Sequence, residues 1–292
     1  MSAGRKLPGT PEPMHRWIGE GGLHIAGDTW GPTSAPSVVL LHGGGQTRHA
    51  WKQTGVRLAS AGYRVAAFDA RGHGDSDWAP DGAYDHRTMA RDLRLVVEAL
   101  GDPRPVLVGA SLGGGTALVG IGEGIVDASA LVLVDVAPLI ENSGVDRIHE
   151  FMNRHPNGFD TLESVAEVIA SYQPQRRRSR TLDGLAKNVR IGPDGRYRWH
   201  WDPVYQASHV GLDERRVWLS QCARQVRVPT LLLRGVLSDL LSEAGAADFL
   251  QLCTHAEYVS VTDAAHMVAG DRNDIFGDAV MEFLSRAVPV SA

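Results

Sequence analysis

A serine hydroxyl is a weak nucleophile until it is exposed, held rigidly and set beside a general base. The segment Gly109-Ala110-Ser111-Leu112-Gly113-Gly114 meets the first two conditions. It follows the apolar run Val106-Leu107-Val108 and precedes Gly115-Thr116-Ala117-Leu118-Val119. In such a strand–turn–helix context, a G-x-S-x-G serine sits at the apex of a sharp turn. The flanking glycines let strand and helix pack closely, and the helix N-terminus turns backbone N–H groups toward developing negative charge. Upstream, Val38-Val39-Leu40-Leu41 runs into His42-Gly43-Gly44-Gly45, a loop whose N–H groups no side chain obstructs. The N–H groups of Gly44 and of Leu112, the residue after the serine, are the expected oxyanion donors. A phosphate loop is the rival reading, but G-x-x-x-x-G-K-[ST] is absent and Gly43 to Gly45 lacks the dinucleotide spacing.

A base and an orienting acid come later. Pro229-Thr230-Leu231-Leu232-Leu233-Arg234-Gly235 has the pattern of a buried strand, with Ser238-Asp239 in the loop after it. Ala256-Glu257-Tyr258-Val259-Ser260-Val261 is a further strand, and Asp263-Ala264-Ala265-His266 follows. His266 and Asp239 thus lie past the C-terminal ends of two strands, the edge at which open α/β sheets build sites. Asp135, at the end of Leu131-Val132-Leu133-Val134-Asp135, competes for the acid position. It is followed at once by Val136-Ala137-Pro138, which reads as the start of an insertion, so Asp239 is favoured. The run Phe68-Asp69-Ala70-Arg71-Gly72-His73-Gly74-Asp75-Ser76 is read differently. It is a tight turn in which Asp69, Arg71 and His73 satisfy backbone groups and one another.

These residues need a sheet to hold them. Residues 15–18 and 23–29 flank a glycine-rich turn and read as a starting hairpin. Strands at 37–42, 63–69, 106–108 and 131–135 then alternate with helices near 51–61, 86–100 and after Ser111. In the second helix Met89, Leu93, Val96, Val97 and Leu100 share one face. Continuous apolar strands imply a parallel sheet covered on both faces. From about Pro138 to Arg224 no strongly apolar strand appears, and helical patterns occupy 145–154, 161–172, 182–189 and 213–226. Trp199, Trp201 and Tyr172 in this stretch either line a bulky apolar pocket or form the insertion's own core. Trp51 either lines the pocket floor or packs under the first helix.

The segments His-Gly-Gly-Gly, Asp-Ala-Arg-Gly-His-Gly-Asp-Ser, Gly-Ala-Ser-Leu-Gly-Gly and Ala-Ala-His together resemble the α/β-hydrolase fold family in its capped serine-hydrolase form, over about residues 14–290. The order Ser111, Asp239, His266 is the one that family uses. The resemblance implies a mostly parallel central sheet with helices on both faces and an inserted helical cap. The core would comprise residues 14–137 and 226–292, the cap 138–225, and residues 1–13 a disordered N-terminal segment. It implies hydrolysis of a carboxylic ester or lactone through an acyl-enzyme, without cofactor or metal. Serine at the elbow disfavours the epoxide hydrolases and haloalkane dehalogenases of similar fold, which use an alkylating aspartate. Carbon–carbon bond hydrolysis and perhydrolysis share the triad and stay open, although Gly45-Gln46-Thr47-Arg48 departs from the loop of the carbon–carbon hydrolases. A ligand receptor that does not turn over is a reading from another class, and no residue positively supports it.

The chain has 292 residues, 43% of them hydrophobic, enough for one large core with an insertion. A net charge of -5 argues against nucleic acid as a partner. The one basic cluster, Arg176-Arg177-Arg178-Ser179-Arg180, reads as a solvated helix end or loop. Cys222 and Cys253, the only two cysteines, suit small core positions better than a disulfide framework. His149-Glu150 lacks the H-E-x-x-H partner of a zinc site. Residues 1–13 have no apolar signal region, and no run is long enough to span a membrane. The expectation is a cytoplasmic enzyme acting on an apolar small-molecule ester or lactone, with homodimerisation left open.

Overall fold

The computed structural model describes residues 3–172, 183–207, 211–266 and 273–290. The basic run at 176–180 lies outside them. Eight strands form one sheet: β1 (His15–Ile18), β2 (His24–Trp30), β3 (Ser37–Leu41), β4 (Arg64–Phe68), β5 (Val106–Ala110), β6 (Ala130–Val134), β9 (Thr230–Gly235) and β10 (Glu257–Val261). Their spatial order is β1-β2-β4-β3-β5-β6-β9-β10. The β1–β2 and β2–β4 pairs are antiparallel, and every pair from β4 to β10 is parallel. All the loops that follow β3, β5, β6, β9 and β10 therefore open on one edge of the sheet.

Side-chain alternation explains why these strands are apolar throughout. Val39, Leu41, Leu107, Leu131, Leu133 and Leu232 face one way and pack with α2 (His86–Leu100), α3 (Leu112–Gly122), α6 (Leu212–Gln225) and α7 (Glu243–Leu252). Val38, Leu40, Val106, Val108, Val132, Val134, Leu231 and Leu233 face the other way, against α1 (Lys52–Ser60) and the C-terminal α8 (Asn273–Ala287). Both faces are covered, so neither member of the period-2 pair can be polar. Helix α2 starts and stops on local signals. The Asp85 carboxylate accepts from the N–H groups of Arg87 and Thr88, and Gly101 closes the helix at φ 74°.

The insertion between β6 and β9 differs from an all-helical cap. It contains α4 (Asn142–Asn153) and α5 (Leu162–Tyr172), then an antiparallel pair, β7 (Val189–Ile191) and β8 (Tyr197–Trp199). The expected helix at 182–189 is a short 3-10 turn, Asp183–Lys187, leading into β7. Helix α6 returns to the body of the fold: Leu219, Cys222 and Ala223 join the core beside α3. The insertion has its own cluster, in which Met152, Phe159, Val165, Val189, Trp199, Trp201 and Tyr205 are buried together.

The expected disordered N-terminal segment is also corrected over its described part, residues 3–13. Arg5 pairs through its backbone with Ile191 of β7, with N–O distances of 2.9 and 2.8 Å. Leu7 is buried in the insertion cluster, and the Lys6 ammonium lies 3.1 Å from the buried Asp75 carboxylate. Low apolar content hid this segment because its order comes from backbone pairing and an ion pair. Among the described residues, no helix is long and apolar enough to cross a membrane.

Candidate active site

Ser111 sits between β5 and α3 at φ 46° and ψ -111°, a strained conformation for a residue with a Cβ. Two glycines make the turn feasible. A Cβ on Gly109 would lie 2.5 Å from the Gly113 carbonyl oxygen, and one on Gly113 would lie 2.4 Å from the Leu41 carbonyl oxygen. The Ser111 N–H donates to the Val134 carbonyl at 3.2 Å, which ties the elbow to the end of β6. The next residue after Val134 is Asp135, itself at φ 51°.

Asp135, fully buried, is the partner of His266: Nδ1 of the imidazole lies 2.7 Å from Oδ2. The other contacts of the carboxylate are also donors. Gly235 N–H reaches Oδ1 at 3.0 Å and the Ser238 hydroxyl reaches Oδ2 at 2.6 Å. An ionised carboxylate only accepts, so this set of donors assigns the proton to Nδ1 of His266 and leaves Nε2 as a base.

The expectation that Asp239 orients His266 is therefore corrected. Asp239 pairs instead with Arg147 of α4, Nε to Oδ2 at 2.8 Å, with about a third of its side chain exposed. The reason is local geometry. After β9 the chain turns at Gly235–Ser238, and this turn brings Ser238, not Asp239, to the β6 edge. Asp239 then faces the insertion, where its carbonyl oxygen crowds Gly144 of α4. Asp135 was legible as the last residue of an apolar strand, but its positive φ and its neighbour across the sheet were not.

The loop after β3 carries three glycines, and only one N–H is left over. Gly43 N–H donates to Gln46 Oε1 at 2.9 Å and Gly45 N–H to His73 Nε2 at 3.2 Å. At the elbow, Gly113 N–H donates to the His42 carbonyl at 3.1 Å. Gly44 N–H and Leu112 N–H have no hydrogen-bond acceptor among the described residues. A Cβ on Gly43 would lie 3.4 Å from the Ser111 Cβ, so this loop runs directly beside the elbow.

Three buried histidines brace that loop, and no sequence pattern announced it. His42 offers Nδ1 to the Gly43 carbonyl at 2.8 Å and accepts from Ala70 N–H at Nε2, 2.9 Å away. His73 faces the Arg71 carbonyl through Nδ1 at 3.2 Å while Nε2 accepts from Gly45. His200 accepts from Gly74 N–H at 2.8 Å and faces the Gly45 carbonyl at 3.3 Å. Each ring has one donor and one acceptor partner, which fits the neutral imidazole alone. Burial moves all three the same way: His42 is lowered, His73 falls to about 3 as His42 adds to the effect, and His200 falls far below the usual range.

The turn is a packed structural element, but Asp69 and Arg71 form their ion pairs with side chains outside it and not with each other. Asp69, fully buried, accepts from Arg48 N–H at 2.7 Å, the Arg48 guanidinium at 2.6 Å and Asp75 N–H at 2.8 Å. Arg71 holds Asp92 through two nitrogens at 2.6 and 2.8 Å. Asp75 joins Arg48, Lys6 and Arg190 of β7, so one carboxylate links the core, the N-terminal segment and the insertion.

The aromatic candidates divide. Trp51 is 1% exposed and packs on Phe276 of α8 at 5.9 Å between ring centroids, so it belongs to the sheet core and not to a pocket floor. Trp199 and Trp201 stack at 4.8 Å and are both buried in the insertion cluster. Trp201 also backs the glycine loop, 3.5 Å from where a Gly45 Cβ would stand. Tyr172 stacks on Phe151 at 4.3 Å, under the Arg147 guanidinium. The buried Tyr205, which sequence reasoning passed over, puts its hydroxyl 3.0 Å from the Cβ position of Gly44.

Comparison with known proteins agrees with this fold. A model of the alpha/beta hydrolase fold matches residues 36–136. An esterase of Mycobacterium tuberculosis, Rv0045c, is 29% identical over 83% of this chain and 80% of its own length. The mouse (Mus musculus) sn-1-specific diacylglycerol lipase ABHD11 is 27% identical over 87% of this chain and 83% of its own. The crystal structure of E-2-(acetamidomethylene)succinate hydrolase superposes with a TM-score of 0.82 at 24% identity, covering 92% of this chain and 98% of that one. With the elbow, the sheet order and these likenesses together, the chain has the α/β-hydrolase fold.

Proposed function

We propose that this protein is a serine hydrolase that cleaves a carboxylic ester or lactone through an acyl-enzyme, with Ser111, His266 and Asp135 as its triad. The observation that carries this reading is the 2.7 Å contact between His266 Nδ1 and the buried Asp135 carboxylate, at the sheet edge that also holds the Ser111 elbow. Asp135 fixes the imidazole tautomer and stabilises the imidazolium that forms. His266 Nε2 takes the Ser111 proton as Oγ attacks the acyl carbon. Gly44 and Leu112 N–H groups receive the oxyanion, each worth about 2.7–4 kcal/mol in the transition state. Collapse of the tetrahedral adduct expels the alcohol, protonated by His266. Water activated by the same nitrogen then attacks the acyl-enzyme and releases the acid. Esterases and lipases among the similar proteins favour this class of chemistry.

Ser111→Ala tests it. Removing one triad member costs nearly as much as removing all, so kcat on a p-nitrophenyl ester should fall about 10⁴–10⁶-fold. The melting temperature should stay within a few degrees. Wild-type turnover by the folded variant would overturn the assignment.

A further inference from the structure

Three successive peptides of the loop after β3 decide where the Gly44 N–H points. Glycine lets each peptide plane turn unless something holds it. The first plane carries the Gly44 N–H and the Gly43 carbonyl, which point in opposite directions. That carbonyl faces His42 Nδ1 at 2.8 Å and accepts from Gln46 N–H at 3.1 Å. The second plane is held by Gly45 N–H, which donates to His73 Nε2 at 3.2 Å. The third is held at the Gly45 carbonyl, which faces His200 Nε2 at 3.3 Å. Gly45 itself, between the second plane and the third, stands at φ 72°.

His42 and His73 belong to loops of the sheet body, whereas the buried His200 follows β8 in the insertion. Its other nitrogen fixes its role. Nδ1 accepts from Gly74 N–H at 2.8 Å, so the neutral ring carries its proton on Nε2, toward Gly45. The segment is seated at both ends: His200 N–H donates to the Asn188 carbonyl at 3.2 Å, and Asp202 N–H to the Gly72 carbonyl at 2.8 Å. Other insertion residues close on the same two glycines. Met152 and Trp201 stand 3.3 and 3.5 Å from where a Gly45 Cβ would be, and the Tyr205 hydroxyl 3.0 Å from that of Gly44. Packing limits how far the loop can move, but orienting a peptide takes a directional bond, and His200 supplies it.

We propose that His200 is a positioning residue for the oxyanion donor: through the Gly45 carbonyl it fixes the glycine loop so that the Gly44 N–H faces the reacting carbonyl, and the docked insertion thereby completes the hole. The inference deepens the serine-hydrolase reading and rests on it. The insertion then sets the rate on every substrate, whatever it does to substrate choice.

The donor at Nε2 can be kept or removed at nearly constant shape. His200→Gln puts an amide N–H where Nε2 stood, His200→Met fills the same space without a donor, and His200→Asn keeps only an acceptor for Gly74. On a p-nitrophenyl ester, His200→Met and His200→Asn should lower kcat about 10- to 100-fold, inside the range of about 10²–10³ that a whole oxyanion donor supplies. KM should change less than about threefold, because the lost interaction belongs to the transition state. His200→Gln should stay within about threefold of the wild-type kcat. An alkyl trifluoromethyl ketone gives a second readout: Ser111 Oγ adds to its carbonyl carbon, the proton passes to His266, and the carbonyl oxygen becomes the oxyanion. Its inhibition constant should rise by the factor lost from kcat. Equal kcat in the Gln and Met variants, or a loss that the ketone does not share, overturns the positioning role while Ser111-dependent hydrolysis stands. Should one of the Met and Asn variants fail to fold, the other decides against Gln. Failure of both where Gln folds makes His200 a packing residue and overturns the proposal. Turnover that survives Ser111→Ala overturns the hydrolase reading, and the role of His200 in its oxyanion hole falls with it.

Discussion

At the scale of single residues, the acid of the proposed triad is set by which carboxylate is buried among donors. Asp135 accepts from His266, Ser238 and Gly235, whereas Asp239 is about a third exposed and bound to Arg147. Asparagine at position 135 would present an amide N–H to the imidazole and favour the wrong tautomer. Asp135→Asn should therefore lower kcat about 10⁴-fold. Asp239→Asn, which removes only a surface ion pair, should change kcat/KM by no more than a few-fold. Steady-state kinetics of the two purified variants on one ester decide between them, and the reverse ranking would restore Asp239. Ser238 belongs to the same network as a positioning residue, since its hydroxyl donates to the carboxylate oxygen that faces His266.

At the scale of elements, the loop after β3 is rigid because His42, His73 and His200 use both ring nitrogens on backbone groups. Their protonation would turn an acceptor nitrogen into a donor aimed at an N–H. The linkage has a definite sign. The folded-state pKa values of all three lie below the unfolded value of about 6.5, so the unfolded chain binds protons first. Stability is then full above about pH 6.5 and is lost as pH falls toward about 3, the value reached by His73. The slope is about 1.4 kcal/mol per pH unit for a group that stays neutral in the fold, so His73 costs about 2 kcal/mol by pH 5, and His42 and His200 add in the same direction. Urea unfolding at pH 7.5 and pH 5 should register this fall. His200→Gln, whose amide can imitate the neutral ring, should remove part of it. An unfolding free energy unchanged between the two pH values would contradict the neutral brace.

At the scale of the molecule, the insertion is a second packed unit fastened to the sheet body. Trp199 stacks on Trp201, meets Phe159 edge-on at 5.0 Å and is buried, so its main role is packing. Trp199→Ala should cost about 3–5 kcal/mol and lower the melting temperature by roughly 10 °C. It should reduce turnover of small and bulky esters by a similar factor. A shift in preference across the panel without a thermal change would instead place this ring on the substrate. The unit is fastened at several points. Arg190 and Lys6 meet at Asp75, Arg5 extends the β7–β8 pair, and Arg147 reaches across to Asp239. Tyr205, buried in the insertion cluster, stands where the insertion meets the glycine loop.

The residues that sequence alone determined are those whose meaning is local. Glycines at 109 and 113 around a serine, an apolar run before it and a helix after it make an elbow whatever lies elsewhere. Strands such as 106–110 and 130–134 were legible because burial on both faces removes every polar position, and α2 because its apolar residues repeat at helical spacing between an Asp cap and a Gly stop. Free N–H groups at Gly44 and Leu112 also followed from chain-local pattern. Long-range contacts were not legible. Choosing Asp135 over Asp239 required knowing that β6 lies between β5 and β9, and that a turn after Gly235 carries Asp239 away toward α4. The packing of residues 3–13 on β7 and the histidine brace join segments from about 30 to nearly 190 residues apart in the chain. No spacing rule encodes such pairs, because their geometry exists only once the sheet has brought its loops to one edge.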